Sequence, residues 1–258
     1  MGELFYVFSL IPIIVVPASI VSGSPGAGVE LGVQQVKFEQ NFAYRGTKMS
    51  VDDLGLDNSK NIFKPTLFYE SETNKETKIK FDLSYEQVRL NGSNTLTKSI
   101  VFNGVIYDPG DNIRSKFEFE WARAGFDIKG PYSSIGVDWN YVIVSTQLSE
   151  TIKDYEFNNY AFKDAVFCSI VLAAYYNFSD FSIESKVKYG SELTDKEDSL
   201  EDKINHKELY VGLNKDNFLL KNAKLTAGYQ YKRLRFSGDE FDGDLRFKGP
   251  FVGFTYRF

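Results

Sequence analysis

The chain has 258 residues, 30 Lys and Arg against 35 Asp and Glu, one His and one Cys, and a formal net charge of -5. The charges are mixed and no basic block stands out, which excludes a nucleic-acid partner. The single Cys168 excludes an internal disulfide and a cysteine-built zinc cluster.

Aromatic residues reach 16% beside 25% charged residues. A soluble domain rarely combines the two, whereas strands that alternate lipid-facing and lumen-facing positions between aromatic girdles do. In chain order, the first element is the apolar run Leu4 to Val16, followed by small residues from Ala18 to Ala27. It is shorter than the roughly 20 residues of a membrane-spanning helix. Together with the small residues it reads as a cleavable signal segment over 1–27. Its start, Met1-Gly2-Glu3, departs from the usual basic n-region.

From residue 28 to 258 the spacing predicts ten strands in a single barrel domain. They cover Gly28 to Arg45, Ile62 to Glu72, Thr77 to Leu90, Arg114 to Ile128 and Tyr132 to Leu148. The remaining five are Lys163 to Phe178, Phe181 to Leu193, Ile204 to Asn214, Ala223 to Phe236 and Asp244 to Phe258. Most exceed the about 9–11 residues that a tilted transmembrane strand needs. The connections at 46–61, 91–113, 149–162 and 194–203 are long, and those between them are short. Transmembrane barrels sort their loops in this way, with short periplasmic turns and longer extracellular loops. The expected fold is therefore an all-β, antiparallel, up-and-down transmembrane β-barrel of about 10 strands, with 8 as the alternative count.

Period-two alternation supports the assignment. Ile79, Phe81, Leu83 and Tyr85 oppose Lys80, Asp82, Ser84 and Glu86; Phe181, Ile183, Val187 and Tyr189 oppose Ser182, Glu184, Lys186 and Lys188. The segment Ala165 to Tyr176 is apolar on both faces and blurs the pattern. The expected lumen charges are Lys80, Asp82, Glu86, Glu118, Glu120, Asp138, Glu184, Lys186, Lys188, Glu208, Lys232 and Arg257. A barrel of this size is close to the size that side chains fill, so pairing of these charges into a plug is expected rather than a selective pore.

The last strand puts Val252, Phe254, Tyr256 and Phe258 on one face. On this strand, the alternating segments and the N-terminal segment, the chain resembles a Gram-negative outer-membrane β-barrel protein of the small, OmpA-like size class. The stretches Ser50 to Asp57 and Ile100 to Gly110 are similar to those of a group of bacterial outer-membrane proteins. The resemblance implies residence in the outer membrane, in contact with its lipid and lipopolysaccharide. It also implies a barrel-assembly signal at Val252, Phe254, Tyr256 and Phe258, read by the barrel-assembly machinery after periplasmic chaperones deliver the chain.

No phosphate loop, metal-ligand cluster or cofactor fingerprint is present, so neither metal nor cofactor is expected. A non-enzymatic structural or surface-interaction role is the expected function. The alternative is a hydrolase acting on lipid A or surface peptides through His206, expected at the outer rim with Asn205, Glu208 and Ser191 or Ser199 nearby. A narrow channel is the third reading. The acidic stretch Asp195 to Asp202 reads as a solvated loop, with cation attraction as the alternative. Phe102 to Tyr107, with its Asn-Gly turn, is expected to be a hairpin extending the wall, or alternatively a lid folded into the mouth.

Overall fold

A computed structural model describes residues 26–73, 76–152, 155–192, 203–238 and 241–258. The expected signal segment 1–27 lies almost wholly outside these residues, and β1 begins at Gly26. Among the described residues thirteen strands are present in chain order: β1 (Gly26–Tyr44), β2 (Met49–Ser50), β3 (Ser59–Glu72), β4 (Lys78–Thr95), β5 (Ile100–Phe102), β6 (Val105–Tyr107), β7 (Asn112–Lys129), β8 (Ser133–Ile152), β9 (Tyr155–Phe178), β10 (Phe181–Glu192), β11 (Lys203–Asp216), β12 (Ala223–Ser237) and β13 (Phe241–Arg257). Ten of them, all but β2, β5 and β6, form an antiparallel wall in sequence order that β13 closes against β1. The chain is a closed ten-stranded barrel, and no open sheet edge runs its full length.

The wall strands reach 24 residues in β9, about twice the length that crosses a membrane. Their sequence changes character along that length. On β1 the outward residues Leu31 and Val33 are 46% and 47% exposed, while Glu30 and Gln34 point inward. Further up, Lys37 and Glu39 point outward, and Val36, Phe38 and Phe42 are buried inside. On β7, Ile128 lies outside the bore and Arg123 inside it. Nearer the outer end, Glu118 lies outside and Phe117, Phe119 and Trp121 are buried inside. The same reversal occurs between Lys207 and Leu209 on β11. The barrel thus has a lower storey with a lipid-type exterior and charged bore, and an upper storey with a wettable exterior and apolar bore. The apolar exterior belt makes the lower storey a membrane span, and such closed barrels reside in the bacterial outer membrane.

This reversal corrects two lumen assignments. Glu118 and Glu120 lie on the outer surface above the belt, where Glu118 pairs with Arg89 at 3.1 Å and Glu120 accepts from Gln87 at 2.8 Å. Their strand mates Phe117, Phe119 and Trp121 are core residues.

The loop pattern is corrected at the outer end as well. The 149–162 segment is not a long loop: β8 and β9 stay paired as far as Ile152↔Tyr155. β12 ends at Ser237 and β13 begins at Phe241. The 194–203 loop lies outside the described residues apart from Lys203. At the end that holds Gly26 and Phe258, the turns are short, as periplasmic turns are.

The upper bore is sealed. The hairpin β5–β6 folds inward on Asn103 and Gly104, both at positive φ (49° and 78°) as a tight Asn-Gly turn demands. Ile100, Phe102 and Tyr107 are wholly buried against Phe42, Met49 and Leu54. The hairpin is a lid and not a wall extension. It is held by Thr47 N–H to Val101 O at 2.9 Å and Asn159 Nδ2 to Phe102 O at 2.6 Å.

One stretch of wall is not zipped. The β3–β4 ladder runs only from Thr66↔Ser84 to Glu72↔Lys78 and stops at Pro65, which has no N–H to donate. Above that point β3 continues on β1, and β4 on β7.

Candidate functional site in the bore

The boundary between the storeys is built from one layer of side chains. Trp121, Phe167 and His206 form its ceiling, with the imidazole edge-on to Trp121 at 4.9 Å between centroids. The ceiling sits under the packed rings of Phe119, Phe247, Phe38 and Phe117.

Directly below lie the charges. Lys188 Nζ reaches Asp138 Oδ2 at 2.6 Å, Arg123 reaches Asp82 at 2.8 Å, and Lys64 reaches Glu86 at 2.9 Å. Lys232 Nζ donates to Glu86 Oε1 at 2.6 Å, and Gln230 Nε2 donates to Glu208 at 2.8 Å. Nearer the periplasmic end, Lys186 pairs with Glu184 at 3.3 Å and Arg257 with Glu70 at 3.6 Å. Lys80 approaches Asp82 at 4.0 Å. Buried ions persist only when paired, and both signs are interleaved here rather than sorted. A residual cavity of about 120 Å³ remains between them, room for a few waters and not for a diffusing solute.

Two glycines make the arrangement possible. Gly125 lies beneath Asp82 and Asp138, whose carboxylates would sit 3.0 and 2.8 Å from any added Cβ. The gap lets Arg123 serve both carboxylates, at 2.8 and 3.7 Å. Gly190 on β10 lets Ser169 of β9 cross to His206 of β11, because a Cβ there would be 2.3 Å from Ser169 Oγ.

His206 is therefore not at an exposed rim. It is fully buried, and its Nδ1 is 2.8 Å from Ser169 Oγ. Its Nε2 has no hydrogen bond and lies 3.9 Å from Glu208 Oε2. Asn205 faces outward next to Tyr189. Ser191 lies opposite Asn205 in the strand register, and Ser199 is outside the described residues. The expected rim position fails because β11 continues above the belt before its loop, which carries its first residues into the upper core.

Of the other expected lumen residues, Lys80, Asp82, Glu86, Asp138, Glu184, Lys186, Lys188, Glu208, Lys232 and Arg257 belong to the bore. The sequence reading missed Glu30, Lys64, Glu70, Arg123, Asp127, Lys129 and Lys224. Each shares strand parity with a recognised lumen residue or a buried small one, and that signal was available. Val252, Phe254 and Tyr256 share the outward face of β13, and Phe258 is 74% exposed at its end.

No family model matches the chain, and no curated protein matches it. Among solved structures, it is similar to the outer membrane protease OmpT of Escherichia coli at 12% identity, covering 90% of this chain and 97% of that one with a TM-score of 0.46. It is also similar to the attachment invasion locus protein Ail of Yersinia pestis, determined with the heparin analogue sucrose octasulfate, at 12% identity, 90% and 99% coverage and a TM-score of 0.37. The transport unit of the autotransporter AIDA-I from Escherichia coli matches at 9% identity, 91% and 90% coverage and a TM-score of 0.43. The assignment of this chain rests on its own belt, bore and closure.

Proposed function

We propose that the protein is a non-enzymatic outer-membrane barrel whose upper storey carries a structural or surface-interaction role in the envelope. The observation that supports this most is the filled bore. An aromatic core and a lid occupy the upper half, and paired charges line the lower half, which speaks against a continuous water path. What remains available for contact is the wettable exterior above the belt and the outer loops.

Reconstitution in planar bilayers tests the channel alternative: the expected result is no conductance steps, and steps from pure protein would overturn the reading. The contact of Ser169 with His206, with Glu208 nearby, favours the hydrolase as the second reading. Its difficulty is access, since His206 is sealed beneath Phe167 and Trp121. Lipid A and peptide hydrolysis by intact protein and by His206→Ala separate the two. Equal profiles are expected, and a hydrolysis lost only in the variant would establish the enzyme.

A further inference from the structure

The exterior just above the lipid belt differs around the barrel. On β4 and β7 its charges are answered locally, with Arg89 and Lys116 each 3.1 Å from Glu118. On β11, β12, β13 and β1 the cations outnumber the carboxylates that answer them. The register puts Lys207 opposite Arg233, Arg233 opposite Arg246, and Lys37 opposite Lys248. Like charges directly across a ladder oppose pairing of the strands. Two carboxylates lie within the patch. Asp244 accepts from both Arg233 (2.7 and 2.8 Å) and Arg246 (2.7 and 3.3 Å), and Glu39 is bonded to Lys248. Lys207 lies 5.8 Å over the Tyr189 ring, and Arg235 is exposed without an ion pair among the described residues. Positive charge is therefore in excess.

Height identifies the partner. Below the Lys207–Arg233–Arg246 row comes Leu209–Tyr231–Lys248, and below that Val211–Tyr229, which belongs to the belt. Successive rows are two residues apart, about 7 Å along a strand. The patch thus occupies the head-group layer of the outer leaflet. Guanidinium groups suit phosphate because their forked donors match its oxygens. We propose that this patch binds a phosphate of the lipid A head group of lipopolysaccharide. Arg233, Arg246 and Lys207 are its ligands, and Asp244 acts as the positioning residue that aims both guanidinium groups.

Native mass spectrometry of the detergent-folded protein tests this with three probes: phosphorylated lipid A, the same lipid dephosphorylated, and phosphatidylglycerol. Phosphorylated lipid A is expected to be retained about tenfold or more tightly than the other two. The variant Lys207→Gln/Arg233→Gln/Arg246→Gln should lose that preference, and Arg89→Gln/Lys116→Gln on the opposite wall should keep it. Equal retention of the dephosphorylated lipid, or an unaltered triple variant, would overturn the proposal. Retention of phosphatidylglycerol as tightly as lipid A would reduce the patch to a general anionic-lipid surface and overturn it equally. Heat-modifiable gel migration reports folding. If the triple variant does not fold, the wild-type comparison of the three lipids and the milder Lys207→Gln/Arg235→Gln variant decide the matter.

Discussion

Lys232 and Glu86 come from non-adjacent strands and meet across the bore, with Nζ to Oε1 at 2.6 Å, while the same ammonium lies 5.4 Å over the Trp121 ring. The contact closes the charged storey against the apolar one. Glu86 is also the partner of Lys64, so its two neighbours are not equivalent to it. Removing Lys232 leaves Glu86 with one cation, whereas removing Glu86 strands two. Breaking a buried pair costs about 3–5 kcal/mol. Glu86→Ala should therefore destabilise more than Lys232→Met in a urea titration followed by tryptophan fluorescence. Equal or reversed losses would mean that this network does not hold the bore together.

The reversal of polarity predicts a depth dependence for added charge. Leu172 is 53% exposed on the lower exterior of β9. Arg introduced at the midplane of a barrel's lipid face costs about 2–4 kcal/mol, falling toward zero near the interface. Leu172→Arg should show that loss in a folding titration into lipid vesicles, and Gln87→Arg, on the outer face of β4, should be neutral within error. A comparable loss at both positions would place residue 87 in hydrocarbon and move the upper boundary of the belt.

Much of this architecture is legible in the sequence, because period two survives in the wall strands other than β9 and the turn residues mark the periplasmic ends. The vertical reversal was harder to read. On β7 the alternation continues unbroken from Phe117 to Lys129, so parity assigns a face to each residue but not which face meets lipid. Charge alone points Glu118 and Glu120 into the bore, whereas Phe117, Phe119 and Trp121 fill it. The small-residue character of Ala165, Ser169 and Ala173 blurred β9 because that face lies against large neighbours in the bore, as Ser169 does against His206. Contacts between distant strands, such as Ser169 with His206, leave no local pattern at all. Gly190 is their one sequence trace, and it is informative only once the register is known.

The two loops that seal the mouth are joined by one ion pair, Asp53 Oδ1 to Lys98 Nζ at 2.9 Å. Burial pushes the Asp53 carboxyl up, but Lys98 and the Ser50 amide and hydroxyl outweigh it and hold the group below its ordinary 3.8. A carboxyl depressed in the folded state contributes stability above its unfolded value and loses it as pH falls through the folded one. Amide protection across residues 96–111, corrected for intrinsic exchange, should therefore be constant near neutrality and fall as the pH drops below 3.8. Asp53→Asn should show weaker protection at neutral pH and no such acid step. A step of the same size in the variant would assign the acid response to another group.

The unzipped stretch of wall makes the last prediction. Between Thr66↔Ser84 and the isolated bridge Leu56↔Gly92 the β3-facing edge of β4 has no ladder partner, although its other edge stays paired with β7 from Lys78↔Lys129 to Thr95↔Asn112. The Lys60 ammonium donating to Arg89 O is a side-chain substitute at one point of that edge. Ladder amides exchange through local opening, and amides without a partner exchange through solvent contact alone. Between Tyr85 and Leu90, hydrogen exchange resolved by residue should alternate, with protected amides pointing at β7 and fast ones pointing at β3. Below Ser84 both sets should be protected. Uniform protection along β4 would mean that β3 and β4 pair above Pro65 in solution, so the barrel has no seam.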